Sequence, residues 1–203
     1  MQRRIVLATH NPHKVEEFQA IVAATRPDIE VVGYDGPEPV EDGVTFAENA
    51  LIKARAAAAH TGLPALADDS GVCVDVLGGS PGVFSAYWAG HAKDATANLN
   101  LLLDQISDIA DPRRTAQFVS TIALVVPSDD GTPVEHVVEG VWPGRIATAP
   151  SGSGGFGYDP VFVPDGQEPG AERSVGEWTA EEKNAASHRS RAFVALAPLL
   201  SSL

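Results

Sequence analysis

Asp68 and Asp69 stand side by side in Pro64-Ala-Leu-Ala-Asp-Asp-Ser-Gly71, directly after four small or apolar residues. Two adjacent carboxylates repel each other, and a nearby cation is the natural way to keep both ionised. Clustered oxygens of this kind suit Mg²⁺, which keeps several waters and shares itself with substrate phosphates. A carboxylate beside such an ion can orient and deprotonate a water molecule. The apolar run predicts a short buried strand ended by a turn at Asp68–Gly71, which would bring the pair to the rim of a sheet, where α/β proteins bind ligands. Neighbouring side chains of a strand point to opposite faces, so one of the two would face a ligand and the other would support it from behind. Asp, Ser and Gly are also turn formers, and on this stretch alone a plain solvated turn is the simpler reading.

Three other segments could join that chemistry. Ile5–Ala8 reads as a first buried strand and runs through Thr9-His10-Asn11-Pro12-His13-Lys14 into a helical pattern at Val15, Phe18, Ile21 and Val22. Asn11 suits an N-cap and Pro12 the first helical turn, so free N–H groups and the helix dipole would favour an anion there, with Lys14 adding a mobile charge. An ordinary strand-to-helix connection has the same composition, and the glycines and Gly-Lys-Ser/Thr ending of a P-loop are missing. Next, Asp35–Gly43 is an acidic loop carrying Glu38, Glu41 and Asp42, followed by a Thr45–Glu48 capping box. The box opens an alanine-rich helix from Phe46 to about His60 that bears Lys53 and Arg55, and Gly62 and Pro64 stop it. Last, the glycine-rich run Ser151–Pro160 can bring backbone N–H groups close to a ligand, and an aromatic ring such as Phe156 could stack on a nucleobase. A second capping box at Thr179 and Glu182 starts a largely helical stretch to Leu200 that carries Lys183, Asn184, Ser187, His188 and Arg189; His188 beside Arg189 could be a surface pair, though donors at one helix position suit carbonyl recognition.

The elements that must hold these groups alternate as in α/β proteins. Ile29–Tyr34 and Val72–Leu77 read as strands, and Asp94–Ile106 as an amphipathic helix. Thr115–Val126 and Val134–Ile146 read as a hairpin around Ser128-Asp129-Asp130-Gly131, with Pro143-Gly144 bending its second arm. Val161–Val163 is a further short strand. The 203 residues fit one sizeable domain, and residues 1–203 are taken as one. A net charge of −13 argues against a grip on nucleic-acid backbone, while a few local cations with a divalent ion can still hold a small anion. Cys73 is the single cysteine, so a reducing compartment is expected, and neither a signal-peptide core nor a run of about 20 apolar residues is present. A soluble cytoplasmic protein is the expectation. The six histidines lack zinc-like spacing, and no Gly-x-Ser-x-Gly elbow follows a strand.

Leu66-Ala-Asp-Asp-Ser-Gly71, Gly154-Gly-Phe-Gly-Tyr-Asp-Pro160 and Lys183-Asn-Ala-Ala-Ser-His-Arg189, in this order, resemble the inosine/xanthosine triphosphate pyrophosphatase family over about Ile5 to Leu200. The resemblance implies Mg²⁺-dependent hydrolysis of ITP, dITP and XTP to the monophosphate and pyrophosphate. It implies an α/β fold with a long mixed central sheet, helices in two lobes and the active site in the cleft between them, usually as a homodimer. Asp69 would be the general base, and Glu41 and Asp69 the metal ligands. Thr9, His10, Asn11, Lys14, Lys53 and Ser70 would hold triphosphate and sugar. Phe156 would stack on the base within Gly154-Gly155-Phe156-Gly157-Tyr158-Asp159, and Lys183, His188 and Arg189 would reach its 6-keto side. One departure stands out: after Pro81–Ala86, where family members often carry arginine, this chain has Tyr87-Trp88. A pyrophosphatase for modified pyrimidine triphosphates and a nucleotide sensor without turnover are the competing functions.

Overall fold

A computed structural model of the chain describes residues 3–128, 131–170, 172–201 and 203. Six strands form one mixed sheet in the order β2-β1-β3-β4-β5-β6: β1 Arg3–Leu7, β2 Ile29–Gly33, β3 Ala65–Val74, β4 Thr115–Val126, β5 Val134–Ile146 and β6 Phe162–Pro164. β1 runs parallel to β2 and to β3, whereas β5 and β6 are antiparallel. The helices are α1 Pro12–Thr25, α2 Phe46–Thr61, α3 Ala95–Gln105, α4 Ala180–Ala186 and α5 His188–Leu200. The chain divides into two compact units, one of residues 1–69, 121–139 and 192–203, the other of residues 70–120 and 140–191.

In the first unit, strand alternation sorts the core into two clusters. Ile5 and Leu7 of β1, Leu66 of β3 and Ile122 and Leu124 of β4 pack with Phe18 and Val22 of α1 and Phe193 and Leu196 of α5. The residues between them, Val6, Ala65, Ala67, Ala123 and Val125, pack with Ala50, Ala54 and Ala57 of α2. The small side chains of α2 explain its alanine-rich sequence, because an alanine face lets a helix lie close on a sheet. In the second unit one cluster joins Val72 and Val74 of β3, Leu99 and Leu102 of α3, Phe118 of β4 and Trp142 and Ile146 of β5.

The sequence places a turn at Asp68–Gly71 and a new strand at Val72; the chain instead forms one unbroken strand from Ala65 to Val74. Within β3, β1 pairs with Ala65 and Leu66 alone, so the neighbour that carries β3 onward is β4, and the demand for ladder hydrogen bonds there outweighs the local turn preference of Asp-Ser-Gly. The predicted strand end at Leu77 is a 3₁₀ turn, Asp75–Leu77, capped by Gly78 at φ 63°. The stretch from Thr179 to Leu200 is largely helical as expected, in two pieces: Ser187 is extended (φ −65°, ψ 162°) and separates α4 from α5. β4 and β5 have the predicted limits and are neighbours in the sheet, and β5 continues through Pro143-Gly144 to pair with β6. The predicted turn residues Asp129 and Asp130 lie outside the described residues. No helix is long and apolar enough to cross a membrane among the described residues.

Candidate active site

The phosphate-type residues fall in the first unit. β1 pairs with β3 only through Leu66, the chain then turns into α1, and Asp68 and Asp69 lie just past that point. Asn11 provides the first helical acceptor of α1, taking a bond from the Val15 N–H (3.3 Å), and its own N–H donates to Thr9 Oγ1 (3.2 Å). Thr9, Asn11 and the start of α1 therefore form one compact turn, as their sequence predicts.

Asp68 continues the face of Leu66, toward α1, and Lys14 Nζ of that helix donates to both its oxygens at 2.9 and 3.1 Å. Its side chain is only 5% exposed, so the ammonium compensates a carboxylate that has lost its water. Asp69 continues the face of Ala67, toward α2, and meets Lys53 of that helix, with Nζ 3.8 Å from Oδ1. Lys53 Nζ also lies 2.9 Å from Glu41 Oε2, so Glu41, Lys53 and Asp69 converge. Two adjacent aspartates thus serve two different cations on opposite sides of one strand. Ser70, next in β3, opens the second unit.

The acidic loop that carries Glu41 is fastened at both ends. His10 Nε2 donates to the Gly36 carbonyl (3.0 Å), its Nδ1 lies 3.1 Å from Glu38 Oε1, and its ring stacks on Tyr34. At the other end the Gly43 N–H donates to Asn49 Oδ1 (2.9 Å), and a Cβ on Gly43 would collide with Glu48 and Asn49. Thr45 caps α2 by accepting from the Glu48 N–H, as predicted, but the Glu48 carboxylate accepts from Val44 rather than from Thr45 itself. Asp68 with Lys14, and Glu41 and Asp69 with Lys53, are the carboxylates and cations gathered here; no group of three or more His, Cys, Asp or Glu side chains that could hold a metal by itself occurs among the described residues.

The base-type residues fall in the second unit. Asp159 is buried and its carboxylate accepts from Lys183 Nζ at 2.5 Å and from the Phe156 N–H at 2.8 Å. The Lys183 ammonium sits 4.3 Å from the centre of the Phe156 ring, a cation–π contact, while 69% of Phe156 remains exposed. Gly155 has φ 71°, and a Cβ there would strike the Asp159 carboxylate, so glycine is required on both counts. The loop's N–H groups are partly committed inside it: Gly154 donates to Gly176 (2.8 Å) and Phe156 to Asp159. Gly157 is a further left-handed turn position, at φ 62°. Tyr158 turns inward; its hydroxyl donates to the Ser85 carbonyl (2.9 Å), and burial pushes its pKa up.

His188 and Arg189 open α5, and the Ser190 N–H donates to Ser187 Oγ, which caps that helix. The His188 ring is buried beside Phe118, a residue that composition gave no reason to single out; only its place in the alternation of β4 pointed inward. Asp68 as the partner of Lys14 was likewise not foreseen, and the opposite faces of a strand are the signal that finds it.

The Ham1 family model matches residues 5–199. A dITP/XTP pyrophosphatase of Leifsonia xyli subsp. xyli is 58% identical over 98% of this chain and 96% of its own, and one of Streptomyces coelicolor is 54% identical over 98% of each. Among solved structures, a HAM1 protein from Coxiella burnetii superposes with a TM-score of 0.87 at 38% identity, covering 99% of this chain and 100% of its own. A dITP/XTP pyrophosphatase from Mycobacterium abscessus gives 0.78 at 49% identity over 96% and 99%. With a family model spanning nearly the whole sequence and relatives more than half identical, the chain belongs to the Ham1 family.

Proposed function

We propose that this protein is a cytoplasmic, Mg²⁺-dependent dITP/XTP pyrophosphatase that adds water to ITP, dITP or XTP and releases the monophosphate and pyrophosphate. The observation that carries the reading is the convergence of Glu41, Lys53 and Asp69. Phosphoryl transfer needs positioning and charge neutralisation more than covalent help, and these groups supply both.

Glu41 and Asp69 are hard oxygen donors already drawn to one cation, Lys53, which fits a Mg²⁺ that keeps most of its ligands as water and phosphate. When bound, the ion would lower the pKa of a water and neutralise phosphate charge. Asp69 then orients the attacking water and takes its proton. Thr9, Asn11 and the N–H groups opening α1 receive phosphate oxygens, helped by the helix dipole. Lys14, fixed by Asp68, adds positive charge on the same helix, and Lys53 balances the charge gathered on Glu41 and Asp69. His10 keeps the Glu41 loop in place, and Ser70 follows the base in the strand.

The exposed Phe156 ring offers a stacking face for the purine, held by the Asp159–Lys183 pair behind it. His188 and Arg189 present donors to the C6 carbonyl of hypoxanthine or xanthine. Adenine carries a donor there instead, and leaving a buried polar group unpaired costs about 1–3 kcal/mol. The protein would act as a homodimer, in line with the family resemblance.

A substrate panel tests the reading. ITP, dITP and XTP are each incubated with the protein and Mg²⁺ beside ATP, GTP and pyrimidine triphosphates, and pyrophosphate is measured. The reading expects the keto-purines ITP, dITP and XTP to be the preferred substrates; preference for ATP or for a pyrimidine would refute it.

A further inference from the structure

The His188 imidazole lies nearly parallel to the Phe118 ring, with centroids 4.9 Å apart and planes inclined by 14°. It is also close to parallel with the Trp142 indole, at 6.4 Å and 20°. Phe162 braces both neighbours, at 4.5 Å from Phe118 and 5.6 Å from Trp142. Phe118 and Trp142 stand on adjacent strands, β4 and β5, and both are buried, Trp142 to 1% exposure. His188 itself is 7% exposed.

A histidine's second side-chain torsion is broad and soft, so nothing within the residue fixes the plane of its ring. A hydrogen bond from a ring nitrogen is directional and weakens as the donor tilts away from the acceptor. Flat neighbours remove that freedom, because a tilt of the imidazole drives its edge into an aromatic face in a core packed to crystal density. The Ser187 cap fixes the first turn of α5, in which His188 stands: the Arg191 N–H donates to the Ser187 carbonyl (3.1 Å) and the Ser190 N–H to its hydroxyl (3.3 Å). Backbone and ring plane are therefore both set before any ligand arrives.

We propose that Phe118 and Trp142 are positioning residues for base selection, holding the His188 imidazole in the plane from which it addresses the purine C6 carbonyl. This rests on the base-reading role given to His188 above. A stack of this kind is worth about 0.5–1.5 kcal/mol, so its loss should change selectivity about threefold to tenfold.

The test replaces the ring while keeping apolar bulk. Phe118→Leu should lower the ratio of kcat/KM for ITP to that for ATP about threefold to tenfold, mainly through a higher KM for ITP, because a base contact is made equally in the ground and transition states. In a His188→Ala background the same substitution should change the ratio no further, since its effect passes through the imidazole. Leu102→Ala, in the same hydrophobic cluster, serves as the control: it should lower the melting temperature and leave the ratio alone. The ring-proton resonances of His188 should move downfield in Phe118→Leu as the ring current is lost. Should Phe118→Leu fail to fold, Phe118→Met, which fills the space with a flexible apolar chain and no ring, carries the same expectations.

Retention of the wild-type ratio in Phe118→Leu, or an equal loss in the His188→Ala background, would overturn the proposal. If His188→Ala itself keeps the wild-type ratio, the base-reading role falls and the positioning role with it. A lost ratio in His188→Ala with no effect of Phe118→Leu overturns only the positioning role.

Discussion

Asp68 and Asp69 differ by one position in the chain, and a strand turns that step into two faces: Lys14 takes the first and Lys53 with Glu41 the second. The two aspartates should therefore fail differently. Asp69→Asn removes the proposed base and should cut kcat about a hundredfold or more, with the melting temperature little changed. Asp68→Asn leaves Lys14 with a weaker partner, so its loss should appear as a raised KM for nucleotide and a lower melting temperature. If Asp68→Asn abolishes turnover and Asp69→Asn retains it, the two roles are reversed. At the other end of the substrate, Arg189→Ala should erode the preference for ITP over ATP more than it weakens binding of the triphosphate; equal losses for both nucleotides would remove its base-reading role. That the aspartates face opposite sides was legible from alternation, but the identity of their partners was not, because Lys14 and Asp68 are 54 residues apart and only the packing of α1 on the sheet joins them.

Elements with strong local signals were read closely and those under tertiary control were not. Thr179 and Glu182 form the predicted capping box, and β4 and β5 have their predicted limits, since capping and strand alternation are local. The turn expected at Asp68–Gly71 became strand because β3 runs on beside β4 after its pairing with β1 ends at Leu66, and the break at Ser187 has no proline or glycine to announce it. The caps also make a pH prediction. Bonds from the Ser151 hydroxyl and the Ser174 N–H hold Glu177 below the ordinary carboxylate range, and Arg173 with the Thr179 N–H does the same for Glu182. Groups depressed on folding stabilise the native state above their unfolded pKa, about 4.3, and lose that contribution as pH falls through the folded values. Amide protection at the start of α4 should therefore be full at about pH 6 and reduced at about pH 3, and unchanged protection would contradict this. In the neighbouring loop, Gly155→Ala forces a Cβ onto the Asp159 carboxylate at φ 71°. It should raise KM for ITP by displacing Phe156, which a Phe156-directed stacking assay with inosine would detect.

For the whole molecule, the chain divides into two compact units, and each of β3, β4 and β5 has residues in both. The proposed phosphate groups belong to one unit and the proposed base groups to the other, which explains why the sequence signals are spread from Thr9 to Arg189 rather than clustered in one motif. The order of those signals was enough to point to the family, and the match over residues 5–199 bears it out. Removing divalent ions with a chelator should stop turnover and added Mg²⁺ should restore it; full activity in chelator would exclude the Glu41–Asp69 metal site. Sedimentation should report a dimer, and a monomer that is fully active would separate assembly from function. The most direct test of the account is product analysis of ITP hydrolysis with Mg²⁺, run in parallel on the wild-type protein and Asp69→Asn. The account predicts one IMP and one pyrophosphate per ITP from the first and almost none from the second; release of orthophosphate, or an Asp69→Asn protein that keeps most of its activity, would contradict it.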